Sequence, residues 1–274
     1  MKIDYTTTSL LDDALLRSAC PALFATEAKP GRSDRYGFVN SENIVSSLAE
    51  AGYGIVWASQ TRKRSPGAAS YAQHYFRVRN LNERQYVEGL GTMEMMVMNS
   101  HDGTSSFSVR PAIVSFGTNL PIIAGGSMHS VKATHTIKGV AGVVDAVTEI
   151  AETFPRVAAV VQRMQKINLS KDEVLEFART AGRIRYQGKK APFNVDMFAD
   201  PRRVDQTSND LWTVMNVVLE NALMGGQEYA TPPRKNRASG RRAVRGLRRI
   251  YGIAQVSIGL WNLAEAKLEE REKD

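Results

Sequence analysis

Apolar and polar positions follow two rhythms along this chain. Between Tyr53 and Phe116 they alternate one by one, and from Val143 onward apolar residues return every three or four positions. The first rhythm buries one face of a strand, and the second buries one stripe of a helix. Tyr53–Thr61 predicts a strand with Ile55 and Trp57 on one side and Val56 and Ala58 on the other. Lys63-Arg-Ser-Pro-Gly67 predicts a turn. Tyr71–Arg79 predicts a second strand, with Ala72, His74, Phe76 and Val78 alternating with Tyr71, Gln73, Tyr75, Arg77 and Arg79. Glu88–Met98 and Ser105–Phe116 predict a further pair, joined by Asn99-Ser-His-Asp-Gly103, and Asp-Gly between such runs is a hairpin signal. The four methionines of Met93–Met98 read as core filling, because a flexible thioether adapts to gaps.

Helices frame this region. Ser9–Ala19 predicts one, capped by Thr8 or Ser9, with Asp12 and Asp13 in its first turn and Pro21 at its end. Asn40 or Ser41 opens another that runs to Ala51 and stops at Gly52. Val143, Val144, Val147, Ile150, Phe154, Val157, Val161 and Met164 lie at helical spacing, and Pro155 kinks or splits that run. Ser170 followed by Glu173 is a capping-box pattern for a helix through Arg183. Leu211–Leu223 is next, ended by Gly225-Gly226, and Arg241–Lys267 predicts one long final helix.

Three regions result: an N-terminal helix and basic loop over 1–35, an antiparallel β-rich region over 36–140, and a helical region over 141–274 with a basic final helix. Hairpins flanked by helices, without regular βαβ alternation, predict the α+β class. The expected architecture is an antiparallel sheet of hairpins in the N-terminal half, packed with helices from the C-terminal half in one compact domain. No internal repeat interrupts this layout.

Composition narrows the class. The 274 residues are 43% apolar and 23% charged, ordinary for a folded globular chain. Cys20 is the single cysteine, which excludes an internal disulfide and Cys-rich zinc folds. The most apolar stretch, Gly139–Ala151, is short and carries Asp145 and Glu149, so no membrane helix is expected. Met1–Ala19 contains Asp4, Asp12 and Asp13 and no apolar signal core, so the expected location is the cytoplasm, with no membrane partner.

Charge changes the picture more. The net charge is +8, from 36 Lys+Arg and 28 Asp+Glu. Arg234, Lys235, Arg237, Arg241, Arg242, Arg245, Arg248 and Arg249 fall in one short segment without an acid, and the rest of the chain is balanced at 28 bases against 28 acids. A solvated helix face ordinarily mixes signs, because like charges at i,i+4 repel. An Arg-rich run suits a polyanion, since the planar guanidinium fork matches phosphate and each contact releases counterions. On a helix these bases would also load the N-terminal half against the dipole, which points to binding as their reason. A second basic group, Arg62, Lys63, Arg64, Arg77 and Arg79, is interleaved with Tyr71 and Tyr75, and Trp57 or Phe76 stands on the other face. Bases plus flat rings suit single strands. An ordinary strand with Arg stems lying over a buried aromatic face has the same sequence, and both readings stay open.

Signals for catalysis are sparse. His101-Asp102 is a possible metal pair, but the other histidines are only His74, His129 and His135, and no HExxH occurs. The competing reading is a polar turn built on Asp102-Gly103. Gly125-Gly-Ser-Met-His-Ser130 lacks the Gly-x-Ser-x-Gly elbow. There is no Walker A or dinucleotide glycine pattern. Glu88, Glu94 and Asp102 have no diagnostic nuclease spacing. No catalytic residue, metal or cofactor is assigned, and the chain reads more as a binder than as an enzyme.

Asn99-Ser-His-Asp-Gly103, the strand through Arg110, Leu211-Trp-Thr-Val-Met-Asn216 and the block Arg241…Leu260-Trp-Asn-Leu-Ala264 resemble one family. It is the phage- and plasmid-encoded "domain of unknown function 932" family, and the resemblance runs from about Ser33 to Ala264. Asn99, His101, Asp102, Gly103 and Arg110 carry the most specific part. One departure is visible: a Cys and an Asn-Gly pair are expected after the Arg110 strand, where this chain reads Ser115-Phe-Gly-Thr-Asn-Leu120. The resemblance implies a mobile-element protein in a bacterial host cell and supplies no catalytic residues.

Together these observations predict a phage or plasmid nucleic-acid-binding protein. Its expected partner is DNA, bound as a single strand or annealed during recombination or replication. A homo-oligomer follows by analogy with phage annealing proteins, which build rings or filaments. The alternatives are an antidefence protein that binds a host protein and, behind it, a metal-dependent nuclease at His101/Asp102.

Overall fold

The structure is a computed structural model, and it describes residues 11–32, 38, 40–61, 65–82, 86–87, 91–114, 121–125, 130–133, 141–233 and 239–273. The chain divides into two compact units, Met1–Val157 and Ala158–Asp274.

The first unit is α+β, as its hairpins and flanking helices predict. Its helices are α1 (Asp13–Ala19) and α2 (Ser41–Glu50), and its strands are β1 (Tyr53–Gln60), β2 (His74–Asn80), β3 (Tyr86–Val87), β4 (Gly91–Asn99), β5 (Phe107–Val114), β6 (Pro121–Ile123) and β7 (Val131–Ala133). The sheet is antiparallel in the order β1-β2-β4-β5-β6, with β3 sharing an edge of β4 and β7 an edge of β5. Helix α3 (Ala141–Glu152) packs on β4 and β5, and α2 packs on β1 and α3. This is why the unit extends beyond residue 140, where composition alone placed a boundary. Phe76, Val78, Met95, Val97, Val109 and Ile113 form the apolar sheet face, with Ile44, Leu48, Val147 and Ile150 of the helices also fully buried. Met93, Met95 and Met96 are core, as expected.

Local details depart from the simple periodic reading. Helix α1 is capped by Asp12, whose Oδ1 accepts from the Leu15 amide at 2.8 Å, rather than by Thr8 or Ser9. Tyr71 ends a 3₁₀ turn (Pro66–Tyr71), so β2 begins only at His74. A β-bulge at Val56 lets Ile55 pair with Val78 but Trp57 with Arg77, which puts Ile55 and Trp57 on opposite faces. The β4–β5 connection is a seven-residue loop over 100–106, not a tight Asp-Gly turn. In it Asp102 accepts from the Thr104 amide at 3.1 Å and from the Thr104 hydroxyl, while Gly103 takes φ 69°.

The second unit holds most of α4 (Phe154–Met164), then α5 (Lys171–Arg185), α6 (Leu211–Met224), β8 (Gly225–Thr231), β9 (Gly240–Arg245) and α7 (Ile250–Arg271). The helical run of the sequence is split at Thr153, whose hydroxyl donates to the Ile150 carbonyl at 2.7 Å, and Pro155 then occupies the first turn of α4. Helix α5 has the capping box its sequence announces: Ser170 Oγ accepts from the Glu173 amide and Glu173 accepts from the Ser170 amide. Helix α6 is buried on nearly every side, and Trp212 meets Trp261 of α7 edge-on with centroids 6.5 Å apart. The long helix predicted over Arg241–Lys267 is corrected here. Residues 240–245 form β9, which pairs with β8 as a separate two-stranded ribbon, and the helix begins at Ile250.

The reason for that correction is local. Gly225 and Gly226 take φ 70° and 95°, which ends α6 and sends the chain back out as a strand. Gly246 then breaks the following run. On a helix Arg241 and Arg245 would stand about 6 Å apart, but on a strand their Cα atoms are separated by about 13 Å, which relieves their repulsion.

Candidate nucleic-acid interface: a basic two-stranded arm

The two groups of basic residues have different fates. In the first unit, Arg77 is 3% exposed and its Nε lies 3.2 Å from Glu94 Oε2, while Arg79 pairs with Glu94 Oε1. The Arg77 guanidinium also stands over the Trp57 ring at 5.7 Å, and Trp57 packs at 4.5 Å against Tyr75. All of these side chains lie on the second sheet face, and Trp57, Tyr75 and Arg77 are buried there. Arg77, Arg79 and Tyr75 are therefore structural, which corrects the expectation of a stacking platform. Arg62, Lys63 and Arg64 lie outside the described residues.

The family-type motif is an interior polar hub. Asn99, Ser100 and His101 are fully buried and Asp102 nearly so. The His74 Nδ1 lies 3.0 Å from the Ala72 carbonyl, which can only accept, so Nδ1 carries the proton and Nε2 accepts. A directed chain follows: Asn99 Nδ2 donates to Ser41 Oγ at 3.2 Å, and Ser41 Oγ donates to His74 Nε2 at 3.1 Å. His101 Nε2 donates to the Ala22 carbonyl at 2.9 Å, and its ring stands 4.9 Å from that of His74. A Ser–His contact of this geometry resembles a nucleophile with its base, but both groups are sealed from solvent, so it serves as a lock between α2, β2 and β4. Sequence reading missed Ser41 because the pairing joins residues far apart in the chain. Burial pushes the His74 imidazole pKa down to about 3, with His101 adding to the effect. Among the described residues no three His, Cys, Asp or Glu converge to hold a metal at His101. Arg110 is half-buried on β5 opposite Met96, and desolvation lowers its pKa. Cys20 is also interior: its Sγ lies 3.6 Å from the Ser59 carbonyl, and burial pushes its pKa up to about 12.

In the second unit the described bases of the basic segment stay at the surface. Arg241, Arg242 and Arg245 sit on β9, and Arg248 and Arg249 on the link into α7; all five are exposed. Arg234, Lys235 and Arg237 fall between β8 and β9 in the chain, outside the described residues. Arg241 has a carboxylate neighbour, Glu228 at 3.4 Å, with side chains 82% and 59% exposed. Such an open pair contributes little. Among the described residues, Arg242, Arg245, Arg248 and Arg249 pair with no carboxylate. The ladder sets Tyr229 opposite Arg242 and Ala230 opposite Arg241. Arg241 and Arg245 therefore point to one face of the ribbon, and Arg242 to the other.

A two-stranded ribbon alone is marginal in water, and this one is fixed at its root. Asn221 of α6 is buried, and its Nδ2 shares its protons among the carbonyls of Phe198 (3.0 Å), Asp200 (2.8 Å) and Val217 (3.1 Å). Its Oδ1 accepts from Arg202 Nε at 2.7 Å and from Gln227 Nε2 at 3.3 Å, and Arg202 also donates to the Gly225 carbonyl. Arg185 of α5 donates to the Ala222 carbonyl at 2.9 Å and the Arg245 carbonyl at 3.4 Å. The strands cross closely at the root: a Cβ on Gly225 would lie 2.5 Å from the Val244 carbonyl oxygen, and one on Gly246 would lie 2.7 Å from that of Met224. Gly246→Ala is expected to lower stability by about 2–3 kcal/mol and to speed amide hydrogen exchange at Tyr229 and Arg242. Unchanged exchange at those amides would show that the root does not depend on this crossing. The signal for the arm was present in the sequence as Gly225-Gly226, a short alternating run, Pro232-Pro233 and Gly240, a hairpin pattern masked by the stronger helical rhythm beyond it.

The family model described as "Domain of unknown function (DUF932)" matches residues 31–250. The chain belongs to the DUF932 family. Two relatives come from Escherichia coli (strain K12). UPF0380 protein YafZ is 29% identical over 250 residues, covering 91% of this chain and 89% of its own. UPF0380 protein YfjQ is 28% identical with the same coverage. No solved structure matches the chain. The DUF932 match takes in the buried Asn99–Asp102 hub, the whole arm and the Arg248-Arg249 link, and ends at the first residue of α7.

Proposed function

We propose that this DUF932 protein binds nucleic acid through the β8–β9 arm. The observation that carries the reading is five exposed arginines on the ribbon and the link after it, four of them without a carboxylate partner among the described residues, with the ribbon's root held by buried hydrogen bonds. Guarding the ribbon edge against another strand would need charge alone, which Lys supplies. The choice of Arg at all five described positions favours bidentate phosphate contacts. Such a binder fits the mobile-element setting implied by the resemblance, where replication and recombination expose nucleic acid.

The test is fluorescence anisotropy with labelled oligonucleotides between 50 and 200 mM salt. The log–log slope of affinity against salt is expected to fall by about 4–5 when Arg241, Arg242, Arg245, Arg248 and Arg249 are all replaced by Gln. An unchanged slope, with the variant folded by circular dichroism, removes the arm from the interface and overturns the reading.

A further inference from the structure

The geometry points to a specific target for the arm: the major groove of B-form DNA. This deepens the reading above and rests on it. A ribbon laid along a single strand meets phosphates on one side. A ribbon inserted into a groove has a phosphate wall on each side. The arm carries bases on both of its faces, Arg241 and Arg245 on one and Arg242 on the other. Two strands about 4.8 Å apart, with their side chains, fit a groove about 12 Å wide. The major groove of an RNA helix is too narrow for such an element.

The surface around the arm's root extends the match. Arg248 and Arg249 follow β9 directly. On another side stands the C-terminal end of α5, tied to the arm by the Arg185–Arg245 hydrogen bond. Just beyond this end, Gly188 takes φ 75° and closes the helix, and Lys189 and Lys190 project into solvent. They border a groove of about 320 Å³ that is also lined by Arg179 and Arg183. Arg179 is held by Asp196 at 2.8 Å and Arg183 by Glu176 at 3.2 Å, whereas neither lysine has an acidic partner among the described residues. Bases at the root contact the backbone that flanks an occupied groove, so Lys189 and Lys190 join the interface as phosphate contacts. Of the rings that suggested single-strand stacking, Trp57, Tyr75 and Phe76 are buried in the first unit and Tyr71 is half-buried there.

The experiment compares a 20-base-pair DNA duplex, the RNA duplex of the same sequence and one DNA strand, by anisotropy on the full chain. Dimethyl sulfate footprinting then reports guanine N7, which lies in the major groove. The expected result is tightest binding to duplex DNA with N7 protection. Lys189→Gln with Lys190→Gln should reduce the salt slope by about 2 and leave the protected bases unchanged. Equal affinity for the single strand or for the RNA duplex, or duplex binding with no N7 protection, overturns groove insertion while leaving the arm as a nucleic-acid contact. A salt slope unmoved by the lysine pair overturns their assignment. Failure to bind any of the three at 50 mM salt overturns both the insertion and the reading beneath it.

Discussion

Asn221→Ala is expected to destabilise the second unit by about 3–4 kcal/mol. The side chain holds the carbonyls of Phe198 and Asp200 and receives Arg202 Nε. Each buried polar group left without a partner costs about 1–3 kcal/mol, and the emptied volume adds to this. Urea denaturation followed by tryptophan fluorescence checks it, since Trp212 and Trp261 lie in this unit. Asn216→Ala on the same helix is the comparison: its amide makes one bond, to the Trp212 carbonyl at 2.7 Å, from a half-buried position. That variant should lose no more than about 1 kcal/mol. Equal losses at the two positions would mean that Asn221 is not the hub. The arm should suffer with it, because Arg202 and Gln227 are both positioned by Asn221 Oδ1.

The second large effect is a loss of stability in mild acid, centred on His74. In the unfolded chain its imidazole titrates near 6.5, and in the fold burial lowers this to about 3. Between those values the unfolded chain binds the extra proton. Stability is therefore complete above about pH 6.5 and falls as pH drops toward 3, with a slope reaching about 1.4 kcal/mol per pH unit. The groups facing the ring are Ser41, Asn99, His101 and Asp102, and the Ser41 hydroxyl already donates to the nitrogen that would be protonated. Glu173, Asp196 and Glu272 are held below their ordinary range by hydrogen bonds and ion pairs, so they weaken the fold only as pH falls below about 4.5. The interval from 6.5 to 4.5 thus separates the histidine contribution from that of these carboxylates. Urea midpoints measured across it should fall steadily in the natural chain and fall clearly less in His74→Gln. A level profile in the natural chain would refute the assignment.

The sequence made some of this legible for identifiable reasons. Ser170 and Glu173 announce a helix start because capping is settled within four residues. The alternation of β2 and the apolar stripes of α5 and α6 survive because each element buries one continuous face. What stayed hidden depends on neighbours. Val56 forms a bulge only against β2, so Trp57 changes sides without a local sign. Arg77 and Arg79 look available until Glu94 of β4 is placed beside them. The arginine cluster was visible from charge alone, but its strand form was not, because the rhythm of Ile253, Ala254 and Ile258 runs backward into it. The anchors of the arm, Asn221, Arg202 and Gln227, belong to no pattern along the chain, since their bonds cross several elements.

The setting of Cys20 has a practical consequence. A thiol sealed beneath Pro21 and Ser59, with so little thiolate at neutral pH, is inert toward maleimides in the folded protein. The natural molecule is thus already a blank background for site-directed labelling. Ser239→Cys, at an exposed position beside β9, would place one dye on the arm and give a direct fluorescence reporter of its engagement.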